Sequence, residues 1–188
     1  MKKQHTIIGS ALATLLLLSL MAFPAAAAFR DEASIQNKDA VAECVSLGIL
    51  NGRDDGSFDP AGNITRGEMA KIITLLFNGG VDPTLITMPT PTFEDIDNHW
   101  AEAYIEFCNA WGAMDGMGNG TFAPDGTLTG MQAAKMLMSV LGYKSEIEGF
   151  TGPEWYVKVS ERAMASDLFS GLDQKIDLNE AISRDNVA

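Results

Sequence analysis

Arg66 directly follows Thr65, and Arg184 directly follows Ser183, so two arginines hold one position in two copies of a short pattern. A guanidinium is a planar fork of donors that takes a carboxylate through two parallel hydrogen bonds. Trp100 and Trp155 share a second register, each sixteen residues ahead of a loop glycine, Gly116 or Gly171. Indole faces pack on the apolar C–H faces of sugar rings. Two plainer readings stand beside these: an arginine paired with one of the many acids, and a tryptophan anchoring a core at the start of a helix. The middle copy has Gly130 in the arginine place, and the first has Gln36 in the tryptophan place. If clefts form between adjacent units, Arg66 and Trp100 make a composite site, and fewer than three clefts work.

Other chemistries fit poorly. Asn51-Gly52-Arg53-Asp54-Asp55-Gly56 has the look of a calcium loop, but Arg53 and Gly62 fall where such a loop needs carboxylates. His5 and His99 are the two histidines, and no nucleophile elbow, metal-binding histidine pair or phosphate loop is present. No metal, no cofactor and no catalytic residue is expected. The 25 acids exceed the 13 lysines and arginines, for a net charge of −12. That balance excludes nucleic acid as a partner, because such binding needs basic surface to replace counterions. An anionic ligand must be held locally, by arginine and backbone N–H groups acting against the overall field.

The elements that position these residues repeat. Gly48-Ile49-Leu50-Asn51-Gly52 leads through Ser57-Phe58-Asp59-Pro60 to Ile64-Thr65-Arg66-Gly67-Glu68. Gly112-Ala113-Met114-Asp115-Gly116 leads through Thr121-Phe122-Ala123-Pro124 to Leu128-Thr129-Gly130-Met131-Gln132, and a shorter copy runs from Leu168 to Asn186. Each unit reads as helix, turn-rich loop, helix. Met69, Ile72, Ile73 and Leu76 fall at the i, i+3, i+4, i+7 spacing of an amphipathic helix, and Ala133, Met136, Leu137 and Val140 repeat it. Thr65 with Glu68 forms a capping box, Thr129 with Gln132 repeats it, and Ser183 with Asn186 is a weaker version. The first helices are expected over Asp39 to Leu47, about Trp100 to Trp111 and about Trp155 to Ala165, with connectors over 78–92 and 142–153. Units this small cannot bury a core alone and must pack on their neighbours. Because the middle unit keeps its helix without an arginine, Arg66 and Arg184 read as residues that the fold does not require.

Lys2 and Lys3, the apolar run from Ile7 to Leu20 and the small residues Ala26-Ala27-Ala28 read as a secretory signal cut ahead of Phe29; the competing reading is an uncleaved membrane anchor. Cleavage removes two lysines and no acid, taking the net charge from −12 to −14. Cys44 and Cys108 each lie eight residues before a loop glycine, and Ala163 fills that slot in the third copy. A small, equivalent position in separate units reads as two buried free thiols rather than a disulfide.

Phe93-Glu94-Asp95-Ile96-Asp97-Asn98-His99-Trp100-Ala101, the glycine loop with Thr121-Phe122-x-Pro124, and Ile64-Thr65-Arg66-Gly67-Glu68 resemble the S-layer homology family. On that resemblance the chain divides into a signal peptide (1–28), a first repeat (29–80), a connector (81–92), a second repeat (93–142) and a truncated third repeat (143–188). It implies an all-α fold of three helix-loop-helix repeats with pseudo-threefold symmetry. It further implies a secreted cell-wall or S-layer protein that binds secondary cell-wall polysaccharide, often pyruvylated, in clefts between repeats. Arg66, Arg184, Trp100 and Trp155 are the candidate ligand residues, and no membrane contact is expected after signal cleavage. The alternatives are self-assembly with other S-layer subunits, another protein–protein role, or the anchor of an enzyme whose catalytic domain lies beyond residue 188.

Overall fold

The computed structural model describes residues 29–82 and 90–188; the signal segment and part of the first connector lie outside them. Among the described residues the fold is all-α, with helices α1 (Lys38–Ser46), α2 (Arg66–Phe77), α3 (Glu102–Ala110), α4 (Gly130–Val140), α5 (Ser145–Glu148), α6 (Trp155–Ala165) and α7 (Arg184–Val187). Three units follow in order: α1 with α2, α3 with α4, and α6 with α7.

The second helix of each unit starts for a reason visible in the chain. Thr65 Oγ1 accepts from the Glu68 N–H at 3.2 Å, and the Glu68 carboxylate accepts from the Thr65 N–H at 2.9 Å. Thr129 and Gln132 reproduce both bonds, at 3.3 and 3.0 Å. Ser183 accepts from the Asn186 N–H at 3.3 Å. Each cap contributes about 1 kcal/mol. α2 is the central helix, with Met69, Ile72, Ile73 and Leu75 all buried, and it packs on both α3 and α4; α6 packs on α4.

The units close into a ring. The Ile64 N–H donates to the Ile182 carbonyl at 3.0 Å, Ile182 to Leu128 at 2.9 Å, and Leu128 to Ile64 at 3.3 Å. All three side chains are buried against the shared axis. The free N–H groups at each helix start are then met by a neighbouring unit. Arg66 and Gly67 donate to Gly126 and Pro124, Gly130 and Met131 to Glu180 and Leu178, and Arg184 and Asp185 to Gly62 and Pro60. Groups that would be orphaned at a helix end therefore become the joints between units.

Each loop ahead of a second helix is also built to a plan. The Asp31 carboxylate accepts from the Phe58 and Asp59 N–H groups, both at 2.8 Å, and Asp95 accepts from Phe122 and Ala123 at 2.8 and 2.7 Å. Phe29 packs at a tilt against Phe58, ring centres 5.3 Å apart, and Phe93 likewise against Phe122 at 5.4 Å. A Cβ at Gly52 would lie 2.6 Å from the Phe29 ring, and one at Gly116 2.3 Å from the Phe93 ring, so both glycines are fixed by close approach.

The helix boundaries differ from the expected ones by about two residues at most, which is the usual uncertainty of helix ends, and α6 runs from Trp155 to Ala165 as expected. The second connector is not without structure. It holds α5, which stops where Gly149 takes a left-handed conformation at φ 73°. Cys44 and Cys108 are free thiols; Cys108 is buried, whereas Cys44 is only partly so.

Candidate functional site

Arg66 leaves the first turn of α2 and crosses into the second unit. Its Nε donates to the Phe122 carbonyl and its Nη2 to the Asp115 carbonyl, both at 2.7 Å, while Cζ lies 4.3 Å from the centre of the Phe122 ring. Arg184 does the same from α7 into the first unit. Its Nε donates to Phe58 at 2.9 Å and its Nη2 to Asn51 at 2.6 Å, with Cζ 4.9 Å from the Phe58 ring. The side chains are 8% and 3% exposed. Burial pulls both guanidinium pKa values down. Asp115 and Asp95 oppose this at Arg66; Arg53 adds to it at Arg184, where Glu68 opposes it. Both groups stay charged at neutral pH.

The view of these arginines as unneeded by the fold is therefore corrected. Each satisfies two carbonyls of the neighbouring unit and covers a buried phenylalanine. The middle unit manages without one for a steric reason: a Cβ at Gly130 would lie 2.6 Å from Leu178 Cδ2 and 3.1 Å from its backbone Cα. Leu178 occupies the space that the arginine stem would need.

A cleft of about 480 Å³ opens beside Arg66. The first unit supplies Arg66, the second supplies Asp115, Gln132 and Lys135, and the third supplies Trp155. The expected partner of Arg66 was Trp100; the structure sets Trp155 in this cleft instead. Trp155 is half-buried and packs against the buried cluster that contains Met131, Met138 and Phe150. Among the described residues, Arg66 Nη1 makes no hydrogen bond and Lys135 pairs with no carboxylate, so two cationic donors face this space.

In the same register of the first unit, Arg184 bonds Asn51 and Glu68, while Lys71 and Trp100 both lie against Tyr104. Trp100 is 55% exposed and lies 5.6 Å from the His99 ring and 6.4 Å from the Tyr104 ring. The Lys71 ammonium stands 5.8 Å from the Tyr104 ring centre. Here, however, Arg53 fills the position that Met117 takes in the second unit. Its Nη1 bonds Glu68 Oε1 at 2.5 Å, and Arg184 Nη1 reaches the same oxygen at 3.3 Å. The third register has Gly130 and no guanidinium.

Lys71 and Lys135 were not singled out from the sequence. The signal was present, since each lies six residues after its capping threonine, Thr65 or Thr129. Among the described residues, no group of three or more His, Cys, Asp or Glu is placed to hold a metal ion, and no helix is long and apolar enough to cross a membrane.

A closed ring of helix-loop-helix units, with a polar cleft where three units meet, defines a repeat-built helical module. The family model of the S-layer homology domain matches residues 28–70 and 92–134, as two repeats. It is 30% identical over 112 residues to an S-layer protein of Bacillus licheniformis, covering 60% of this chain and 12% of that protein. It is 31% identical to S-layer protein EA1 of Bacillus anthracis, covering 56% of this chain and 12% of the relative. An uncharacterized cell wall amidase of Bacillus anthracis is 31% identical over 53% of this chain and 18% of the amidase. The chain thus spans a small part of each relative's length.

Proposed function

We propose that this chain anchors a surface protein non-covalently by binding an acidic cell-wall polysaccharide in the clefts between its units. The S-layer homology repeats, with their S-layer relatives, make it a secreted protein of the cell wall or S-layer. The observation that carries the binding reading is the cleft lined together by Lys135, Trp155 and Arg66, whose Nη1 makes no hydrogen bond among the described residues. A saccharide bearing a carboxylate, such as a pyruvylated one, suits that set: cationic donors for the acid and an indole for the sugar face. Arg66, Arg184, Trp100 and Trp155 are the proposed ligand residues, joined by Lys135. Residues 1–28 are proposed as the secretory signal and 143–188 as a third repeat of the same kind. The amidase relative supports a reading in which such a module serves an attached enzyme as readily as a lattice subunit.

The test is retention on purified peptidoglycan sacculi with and without their attached polysaccharide. Wild type and Lys135→Ala are compared, because Lys135 makes no ion pair among the described residues that its loss would break. Retention that needs the polysaccharide and falls with Lys135→Ala supports the proposal; no retention by folded wild type sinks it. One surface favours a second reading, contact with other protein subunits. Phe77, Phe107 and Trp111 cluster with ring centres 5.7 to 6.2 Å apart, and Trp111 is 66% exposed. Loss of assembly, rather than of wall retention, in Trp111→Ala would support it.

A further inference from the structure

We propose that Asn119 modifies itself: the Gly120 backbone nitrogen attacks the Asn119 side-chain amide, expels ammonia, and leaves aspartate or isoaspartate in the loop of the second unit. This chemistry is separate from saccharide binding, and its extent records the age of the chain.

Asparagine before glycine is the pair in which such a ring closure meets least resistance, because glycine brings no Cβ to crowd the attacking nitrogen. The chain has three of these pairs, Asn51-Gly52, Asn78-Gly79 and Asn119-Gly120. Their surroundings separate them. Asn78 closes α2 with its amide nitrogen buried, and the Gly79 N–H is spent on the Leu76 carbonyl at 3.3 Å. At the first loop, a Cβ on Gly52 would lie 2.6 Å from the Phe29 ring, and Arg184 grips the Asn51 carbonyl at 2.6 Å; both hold that peptide in place. Asn119 is exposed. A Cβ on Gly120 would meet nothing nearer than 3.7 Å, and one on Gly118 nothing within 4 Å. The Gly120 N–H makes no hydrogen bond among the described residues. The nucleophile is therefore unspent, and its peptide has room to turn.

The electrophile is prepared as well. Asn119 Oδ1 accepts from the Thr121 N–H at 3.1 Å and from the Thr121 hydroxyl at 2.7 Å. As the Gly120 nitrogen bonds to Cγ, an electron pair moves onto Oδ1, and these two donors face the negative charge that builds there. The Cγ–Nδ2 bond then breaks, and its nitrogen leaves as ammonia carrying the proton that Gly120 gave up. The ring left behind is a succinimide, which water opens. Addition at Cγ restores the original peptide link and yields aspartate. Addition at the main-chain carbonyl yields isoaspartate, whose backbone runs through Cβ.

The two products differ in consequence. Aspartate suits this place, since Asp55 holds it in the first unit and accepts from the Ser57 N–H at 3.0 Å and hydroxyl at 2.6 Å. It adds a negative charge and keeps the turn. Isoaspartate lengthens the backbone ahead of Thr121, whose carbonyl receives the Met117 N–H at 2.8 Å, and of Phe122, whose carbonyl receives Arg66. That form loosens the joint between the first two units.

The experiment incubates the chain in warm neutral buffer, folded or in urea. Peptide mass spectrometry follows the amide-to-acid mass gain at Asn51, Asn78 and Asn119, and an isoaspartyl methyltransferase with a labelled methyl donor counts the isoaspartate. In the folded chain, Asn119 converts about tenfold or more faster than Asn51 or Asn78, and in urea the three rates converge. Thr121→Val removes the hydroxyl donor and slows Asn119 by about tenfold in the folded chain but not in urea, whereas Thr121→Ser keeps the wild-type rate. Asn119 lagging behind either other asparagine in the folded chain overturns the proposal. An unchanged rate in folded Thr121→Val overturns the activation by the Thr121 hydroxyl.

Discussion

Arg66 donates from Nε to the Phe122 carbonyl at 2.7 Å and lays its guanidinium 4.3 Å from the ring of that same residue. One side chain thus secures both the backbone and the buried ring of a neighbouring repeat. The charge at the edge of the cleft is also a bolt between units.

Arg66→Ala should therefore cost stability as well as binding. It leaves the carbonyls of Phe122 and Asp115 without their donor and uncovers a buried ring, for a loss of about 2–4 kcal/mol. Arg66→Lys recovers less than half, because an ammonium cannot reach both carbonyls and lie flat on the ring. Urea unfolding midpoints of the three proteins check this. A midpoint for Arg66→Ala equal to that of wild type would show that the bolt bears no strain.

Gly130 is predicted to resist substitution. Gly130→Ala drives a Cβ to 2.6 Å from Leu178 Cδ2 and 3.1 Å from its Cα, and should cost about 1–3 kcal/mol. Leu178→Ala in the same chain relieves the side-chain part but not the backbone part. Thermal melts of the single and double variants measure the split, and additive losses would contradict it.

Asp31 should make the chain sensitive to acid. The Phe58 N–H, with help from that of Asp59, holds its pKa below the ordinary 3.8. A folded pKa below the unfolded one means that the contribution is present above the unfolded value. It is lost as pH falls through the folded value. Asp31→Asn should then unfold at lower urea than wild type at pH 7, with the gap closing below about pH 4. A gap that stays constant down to pH 3 would assign the effect to packing.

The two thiols should differ from free cysteine in opposite degrees of shelter. Burial pushes the Cys108 pKa up to about 12, against a smaller opposing effect from its contact with Thr74, and burial also raises Cys44. Thiolate is the reactive form, so a disulfide reagent at pH 8 should leave Cys108 untouched in the native chain and label Cys44 slowly. Both should react at once in urea. Rapid labelling of two thiols in the folded state would contradict the placement of Cys108.

The helices were legible because their signals are local. Thr65 with Glu68 and Thr129 with Gln132 mark helix starts through side chains that only a cap needs, and the Met69 to Leu76 spacing shows which face is buried. The ring was not legible, because Ile64, Leu128 and Ile182 close it through backbone groups that every residue carries. Direction around the ring was hidden for the same reason. Sequence spacing cannot show that Arg66 reaches forward to the loop beside Asp115 while the indole in that cleft comes from Trp155, and adjacency alone suggested Trp100. The roles of the arginines were misjudged because Gly130 looked like proof that the position is optional, when Leu178 had taken over the space. Lys135 could have been found by reading the register six residues past each capping threonine.

The closed ring sets an order of events in time. In an open array of repeats, any neighbouring pair can form first and the rest propagate along the chain. Here the Arg184 side chain must return to the Phe58 carbonyl, 126 residues away in sequence. Such distant pairings form slowly, because the long loop must be closed before any contact rewards it. A chain emerging N-terminus first cannot lock until its last unit has arrived. Until then, the carbonyls of Asn51, Phe58, Pro60 and Gly62 wait without their donors from Arg184 and Asp185. The ring is thus a latch that stays open until the third unit folds back onto the first.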